Sequence, residues 1–411
     1  MYRPLLSHGK ACAFALGLSF TTGLTAQSFA LHDGDRVVFL GDSITAQRFY
    51  TTYIQTAVHA RFPEWTIHFY NAGVGGDNVF GGVAGNIDTR LNRDVLDFHP
   101  TVVTIMLGMN DRSHPDKYEE GYKHILQTLR DKVPAARVVI LTPTPVDGVT
   151  DNNPAANTEL RTFVEIDKRL ASDYGAAFID VFHPVESALE SADKIDHIAA
   201  LSLIPDRIHP QPPLHMLMAE TILQALGFPS TAFSITIDAS TASVTHAEGI
   251  APHDLQKEEA SLVWNQTETP DENRFLKTDG NAVLYQKLLG STHPGARILK
   301  VISLPKGLYS LRIDDKLLTK TWTNVELAAG IDLQMEDTPA HKSGVGLYYA
   351  CSDSELDQTD RSRLLGTLRD ADPQLTSVGR TFFQGAMKRS EERVIEASKR
   401  VNRRIEIMPK G

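Results

Sequence analysis

Gly41-Asp42-Ser43-Ile44-Thr45 places a serine directly after a short apolar run. Gly41 permits a sharp turn and Ser43 opens the helix that follows, so the hydroxyl sits at a sheet edge near the positive end of the helix dipole. Serine is also a preferred helix N-cap, so this motif alone has a purely structural reading. It is not the Gly-x-Ser-x-Gly elbow of α/β-hydrolases. A nucleophilic serine needs a base to take its proton and a third group to hold that base in one tautomer. Asp206-Arg207-Ile208-His209-Pro210 offers both. Asp206 and His209, three residues apart, can reach one site from a single loop.

Two further segments could hold a developing oxyanion. In Gly73-Val74-Gly75-Gly76-Asp77 the glycines let backbone N–H groups approach a ligand without side-chain hindrance. The spacing does not fit a dinucleotide fingerprint, and an ordinary glycine-rich turn has the same composition. In Gly108-Met109-Asn110-Asp111, Asn110 can aim its amide at an oxyanion or bond its own backbone in a turn. His197, His209 and His215 lack a recognised ligand spacing, which argues against zinc.

The elements around these segments set their positions. Arg36 to Leu40, Thr66 to Tyr70, Thr101 to Leu107, Val138 to Leu141 and Ala177 to Val181 read as strands. Thr101 to Leu107 is almost wholly apolar, as a central strand covered on both faces must be. Helical spacing marks Ala46 to Phe62, a helix through Tyr118 to Leu129, Glu159 to Tyr174, and Leu214 to Leu226. Alternating strand and helix predicts an α/β fold with a parallel sheet. Ligands in such folds bind beyond the carboxyl ends of the strands, where three of the four segments lie.

Gly227-Phe228-Pro229-Ser230 breaks the alternation and marks an expected boundary. Beyond it, Phe233 to Ile237, Ile298 to Leu304, Leu308 to Ile313 and Lys320 to Leu327 read as strands of a small antiparallel unit. Turns are expected at Pro305-Lys306-Gly307, as a hairpin, and at Asp314-Asp315. Residues 251 to 294 are polar and poorly patterned, and are expected to form a long loop. The chain from Asp360 onward reads as helical, with Arg389 to Arg404 a charged, solvated helix. Trp322, Tyr309, Tyr348 and Tyr349 could stack on sugars, but aromatics of this kind more commonly build a core.

The chain carries 41 basic and 51 acidic residues, a formal net charge of -10, which argues against a nucleic-acid partner. Residues 1–30 read as a cleaved secretory signal peptide. Arg3 and Lys10 form the basic start, Ala11 to Ala26 the apolar run, and Ser28-Phe29-Ala30 the cleavage site, with Leu24-Thr25-Ala26 a second one. A single anchor helix is the alternative, but the run falls short of the roughly 20 residues a bilayer span needs. Cleavage removes Cys12 and leaves Cys351 alone, with no intrachain bridge available. A secreted or periplasmic protein without stable membrane insertion is expected. Nothing in the pattern sets its oligomeric state.

Taken together and in this order, Gly-Asp-Ser, Gly-Gly-Asp, Gly-x-Asn-Asp and Asp-x-x-His-Pro resemble the SGNH (GDSL) hydrolase family of esterases and lipases. The resemblance spans about residues 35 to 226. It implies a flavodoxin-like three-layer α/β/α domain, here expected over 31–230, with 231–411 an accessory β-rich and helical region. It further implies Ser43 as nucleophile, His209 as base, and Asp206 as the group that orients it. The oxyanion hole would be the N–H groups of Ser43 and Gly76 plus the side chain of Asn110. No cofactor or metal is implied. Gln211, Leu214 and the Pro212-Pro213 pair depart from the family pattern after His-Pro, and Met109 is expected to narrow the pocket or make it more apolar. The C-terminal stretches Leu304 to Tyr309 and Glu326 to Ile331 are similar to a region of bacterial secreted members. The implied activity is ester hydrolysis on a small-molecule or polysaccharide ester, with deacetylation of carbohydrate first. A lipase or lysophospholipase on longer acyl chains, or a catalytically silent glycan-binding protein, are the alternatives.

Overall fold

The computed structural model describes residues 30–147, 157–272, 284, 287–288, 295–368 and 373–410. The expected signal peptide lies outside the described residues, apart from Ala30. The first half of the chain alternates strand and helix. Its elements are β1 (Arg36–Gly41), α1 (Ser43–Ala46), α2 (Phe49–Arg61), β2 (His68–Gly73), the two-residue strands β3 (Gly81–Gly82) and β4 (Gly85–Asn86), and α3 (Ile87–Arg90). There follow β5 (Val102–Met106), α4 (Pro115–Lys132), β6 (Arg137–Leu141), α5 (Thr158–Tyr174), β7 (Ala177–Ile179), α6 (Phe182–Ile195), α7 (His197–Leu201) and α8 (Pro212–Ala225).

Five strands form one parallel sheet in the order β2-β1-β5-β6-β7. β5 is central and buried along its whole length, which is why its sequence is apolar without alternation. Val38 pairs in register with Val103, and Leu40 with Ile105. Burying each of these side chains contributes about 1.5–3 kcal/mol. Helices flank the sheet, with α2 packed on α8 and α4 on α5. The parallel order brings the carboxyl ends of β1, β2 and β5 side by side, so the loops that follow them share one edge.

The second half departs from the sequence-based reading in several places. Residues 251 to 294 are not one long loop, because Pro252–Glu258 (β10) and Ser261–Glu268 (β11) form an antiparallel hairpin. The outer strand of that pair exposes most of its polar residues, so no apolar alternation advertises it. The β region is two sheets rather than one antiparallel unit. β10, β11, Val401–Pro409 (β16), Leu308–Ile313 (β13) and Lys316–Thr323 (β14) make one sheet. Ile331–Asp332 (β15), Ala296–Ile302 (β12), Thr231–Asp238 (β8) and Ser243–Glu248 (β9) make the other, with β8 and β12 parallel. Pro305-Lys306-Gly307 therefore carries the chain from one sheet to the other instead of closing a hairpin. Asp314-Asp315 does close one, between β13 and β14.

Lys320 to Leu327 is strand only to Thr323. Thr323 then caps helix α9 (Asn324–Ala329) by accepting from the Glu326 N–H, while the Glu326 carboxylate accepts from the Thr323 N–H. The helical segment starts at Pro339, not Asp360. α10 (Pro339–Thr367) and α11 (Pro373–Ser398) form a hairpin, and the charged run through Arg404 ends as strand β16. The two sheets share one core that includes Ile235, Val301, Trp264, Leu311 and Ile405. Trp322, Tyr309 and Tyr348 are buried, whereas Tyr349 is exposed.

Neither half stands apart. Gly227 to Ser230 is held by α2, whose Arg61 guanidinium donates to the carbonyls of Pro229 (3.0 Å) and Thr231 (2.8 Å) and pairs with Glu272. α10 packs directly on α2 and on β2.

Candidate active site

Ser43 follows β1 through Asp42, the N-cap of α1, whose carboxylate accepts from the Ile44 N–H at 2.9 Å. The turn requires Gly41. A Cβ there would lie 2.1 Å from Thr45 Oγ1 and 2.9 Å from the Met106 carbonyl. The Asp206–His209 loop precedes α8, where Pro212 and Pro213 occupy the first turn and Gln211 is the cap. The proline pair thus starts a helix, which needs no N–H at those positions. Arg207, between the two functional residues, adopts φ 66, so the loop folds back on itself.

That fold brings the sequence-predicted groups together. His209 Nε2 is 2.8 Å from Ser43 Oγ, and His209 Nδ1 is 2.6 Å from Asp206 Oδ2. Asp206 Oδ1 accepts from the backbone N–H groups of His209 (2.8 Å) and Ile208 (3.0 Å). Burial pushes the Asp206 carboxyl up, but the His209 N–H, its ring and the Ile208 N–H outweigh burial and hold the group down at about 2. An ionised Asp206 fixes the His209 tautomer with its proton on Nδ1, which leaves Nε2 free to accept from the Ser43 hydroxyl.

The glycine loop lies against the serine, since a Cβ on Gly75 would stand 4.0 Å from Ser43 Cβ. Gly76 has φ +77. Asn110 is held to the same loop, its side-chain amide donating to the Asp77 carbonyl at 2.7 Å. Asp111 accepts from the Val79 N–H at 3.1 Å. Met109, expected to narrow the pocket, is instead buried in the main core, because the turn after β5 points its side chain inward. His197 pairs with Asp193 and His215 with Gln47, at 2.6 and 3.0 Å, so these two histidines are engaged away from His209.

Sequence reading missed a buried polar layer under the loops. Asn71, within β2, donates to the Thr45 carbonyl (2.9 Å), Thr51 Oγ1 (3.0 Å) and Glu355 Oε2 (3.0 Å), and accepts from the Gly73 N–H. Gln358 donates to the Phe69 carbonyl (2.8 Å) and accepts from the Asn71 N–H (2.7 Å). Glu355 and Gln358 come from α10, far along the chain, and nothing local marks them. Beside them Arg90 pairs with Asp77 at 2.6 Å and with Asp94, and donates to the Ala72 carbonyl at 2.6 Å. Burial is the main cause that lifts Asp42 to about 7 and Asp111 to about 6, with the neighbouring Asp111 and Asp77 charges adding to the first. Burial likewise raises Glu355 to about 8.

Residues 39–216 match the model of the GDSL-like lipase/acylhydrolase family. The acetylxylan esterase of Geobacillus stearothermophilus is 25% identical over 223 residues, covering 47% of this chain and 95% of that protein. A multidomain esterase of Ruminococcus flavefaciens is 26% identical over 122 residues, 28% of this chain and 16% of that one. A gut microbial diltiazem-metabolizing enzyme shares the fold at a TM-score of 0.78 and 22% identity, over 93% of this chain and 99% of its own. That likeness extends through the β sandwich and helical hairpin. The chain is a carboxylic ester hydrolase. No helix among the described residues is long and apolar enough to cross a membrane.

Proposed function

We propose that the protein is a secreted serine esterase that removes short acyl groups, acetyl above all, from carbohydrate. The observation that carries this reading is the hydrogen-bonded chain from Ser43 Oγ through His209 to Asp206. In the first step His209 Nε2 takes the Ser43 proton as Oγ attacks the ester carbonyl. The resulting oxyanion is held by the Ser43 and Gly76 N–H groups and the Asn110 amide. His209 then gives its proton to the departing alcohol, leaving an acyl-serine. Water, deprotonated by the same imidazole, attacks that ester and releases the acid. Asp206 stays ionised throughout and supports the imidazolium.

The acetylxylan esterase relative supports carbohydrate as the alcohol component. The test is a chain-length series of p-nitrophenyl esters, followed by acetylated xylan and acetylated pectin. Acetyl should be preferred and acetate should be released from polymer. A preference for long acyl chains would replace this reading with a lipase, and no turnover of any ester would remove it.

A further inference from the structure

One face of α10 meets the α/β layer and another faces open space beside the serine. Glu355, Gln358 and Ser362 are buried, with the first two bonded to β2 and its Asn71. Arg361 anchors the next turn, donating to the Arg93 carbonyl (3.1 Å) and Asp97 (3.2 Å). Leu356, Thr359, Asp360 and Arg363 fall at the complementary helical positions and line a cleft of about 620 Å³. Its opposite wall is Arg48 and the loop from Gly73 to Gly75, and Gly75 is the residue that abuts Ser43. The volume suits a small-molecule site.

Arg48 has the left-handed φ of 68 that non-glycine residues avoid. Three hydrogen bonds hold it there. Its N–H donates to the Thr45 carbonyl at 3.0 Å, and its own carbonyl accepts from the Thr52 N–H at 2.9 Å and from Thr51 Oγ1 at 3.0 Å. Such backbone strain clusters at functional positions. Arg48 and Arg363 both line the cleft, and neither guanidinium has a hydrogen bond or ion pair with a described residue.

We propose that this cleft is the subsite for the sugar of the ester substrate, and that Arg48 and Arg363 are specificity-determining residues within it. The proposal rests on the carbohydrate esterase reading above. A sugar ring offers hydroxyls that both donate and accept. The two guanidiniums supply donors, Asp360 supplies acceptors, and Thr359 supplies both, while Leu356 and Val83 cover the C–H faces of the ring. An aliphatic chain laid in the same cleft would strip water from the guanidiniums and return no hydrogen bonds. The helical hairpin beyond residue 230 is therefore a wall of the substrate site, and not only a support for it.

The test compares kcat/KM for acetylated xylo-oligosaccharide or oligogalacturonide, whichever the wild type cleaves faster, with kcat/KM for p-nitrophenyl acetate. Full-length wild type, Arg363→Ala and the cleft-filling Thr359→Trp are used. In both variants the saccharide-to-aryl ratio should fall at least tenfold, through KM for the saccharide. A ratio unchanged in both variants, including one where the two activities fall together, overturns the subsite while leaving the carbohydrate reading intact. A wild type that cleaves p-nitrophenyl acetate but no acetylated saccharide overturns the carbohydrate reading, and the subsite with it.

Discussion

His209 Nε2 stands 2.8 Å from Ser43 Oγ although 166 residues separate the two in sequence. The parallel sheet closes that gap: β1 delivers Ser43 to its carboxyl edge, and the loop before α8 returns His209 to the same edge. Every step of the proposed chemistry depends on this contact and on the charge behind it.

Asp206→Asn should lower kcat by about 10²–10⁴ with little change in fold, because the amide can hold His209 in the tautomer that points a proton at Ser43. Steady-state kinetics with circular dichroism checks this, and near-normal kcat would contradict it. The pH profile carries a second signature. With Asp206 at about 2, kcat/KM should show no separate ascending limb near pH 4, where an ordinary aspartate titrates at about 3.9. A limb near pH 4 would contradict the ionised state of Asp206.

Asn110→Ala should lower kcat by about 10²–10³ and leave KM nearly unchanged, as for loss of one oxyanion donor. Kinetics on p-nitrophenyl acetate reads the split. A normal kcat would make Asn110 only the tether of the glycine loop through Asp77.

Glu355 should make stability pH-dependent. Burial raises it to about 8, against about 4.3 in an unfolded chain. The folded state therefore holds the proton longer. The stabilisation is complete below about pH 4 and is lost as pH rises toward 8. Glu355→Gln removes this titration, so its Tm should fall less than the wild-type Tm between pH 5 and pH 8. Asp42 and Asp111 act with the same sign, so some slope remains. Equal slopes in thermal melts of the two proteins would contradict the assignment.

Three of the four chemistry-bearing loops were legible because each is a local pattern of small and polar residues after an apolar strand, and the fourth, Asp206 to His209, through the spacing of its aspartate and histidine. Glu355, Gln358 and Asn71 were not, since their role exists only once α10 lies on β2. β16 was hidden for a related reason. Its Arg404 and Glu406 face outward and read as a solvated helix, while only Ile405 and Ile407 enter the core. β10 carries too few apolar residues to announce a strand.

Truncation after Ser230 should yield insoluble protein or one with a much lower Tm. The cut removes Glu355, Gln358 and Arg361 from buried partners on the α/β layer, leaving Asn71 short of hydrogen bonds and Asp94 without one of its cationic neighbours. A soluble fragment of residues 31–230 with an unchanged Tm would contradict this and would make the C-terminal region an independent attachment.

The most direct test of the central claim is covalent labelling. Full-length protein active on p-nitrophenyl acetate is treated with a fluorophosphonate, digested, and mapped by mass spectrometry. The adduct should appear on Ser43, with loss of activity in proportion to labelling, and Ser43→Ala should be neither labelled nor active. An adduct on another serine, or full inactivation with Ser43 unmodified, would contradict the account.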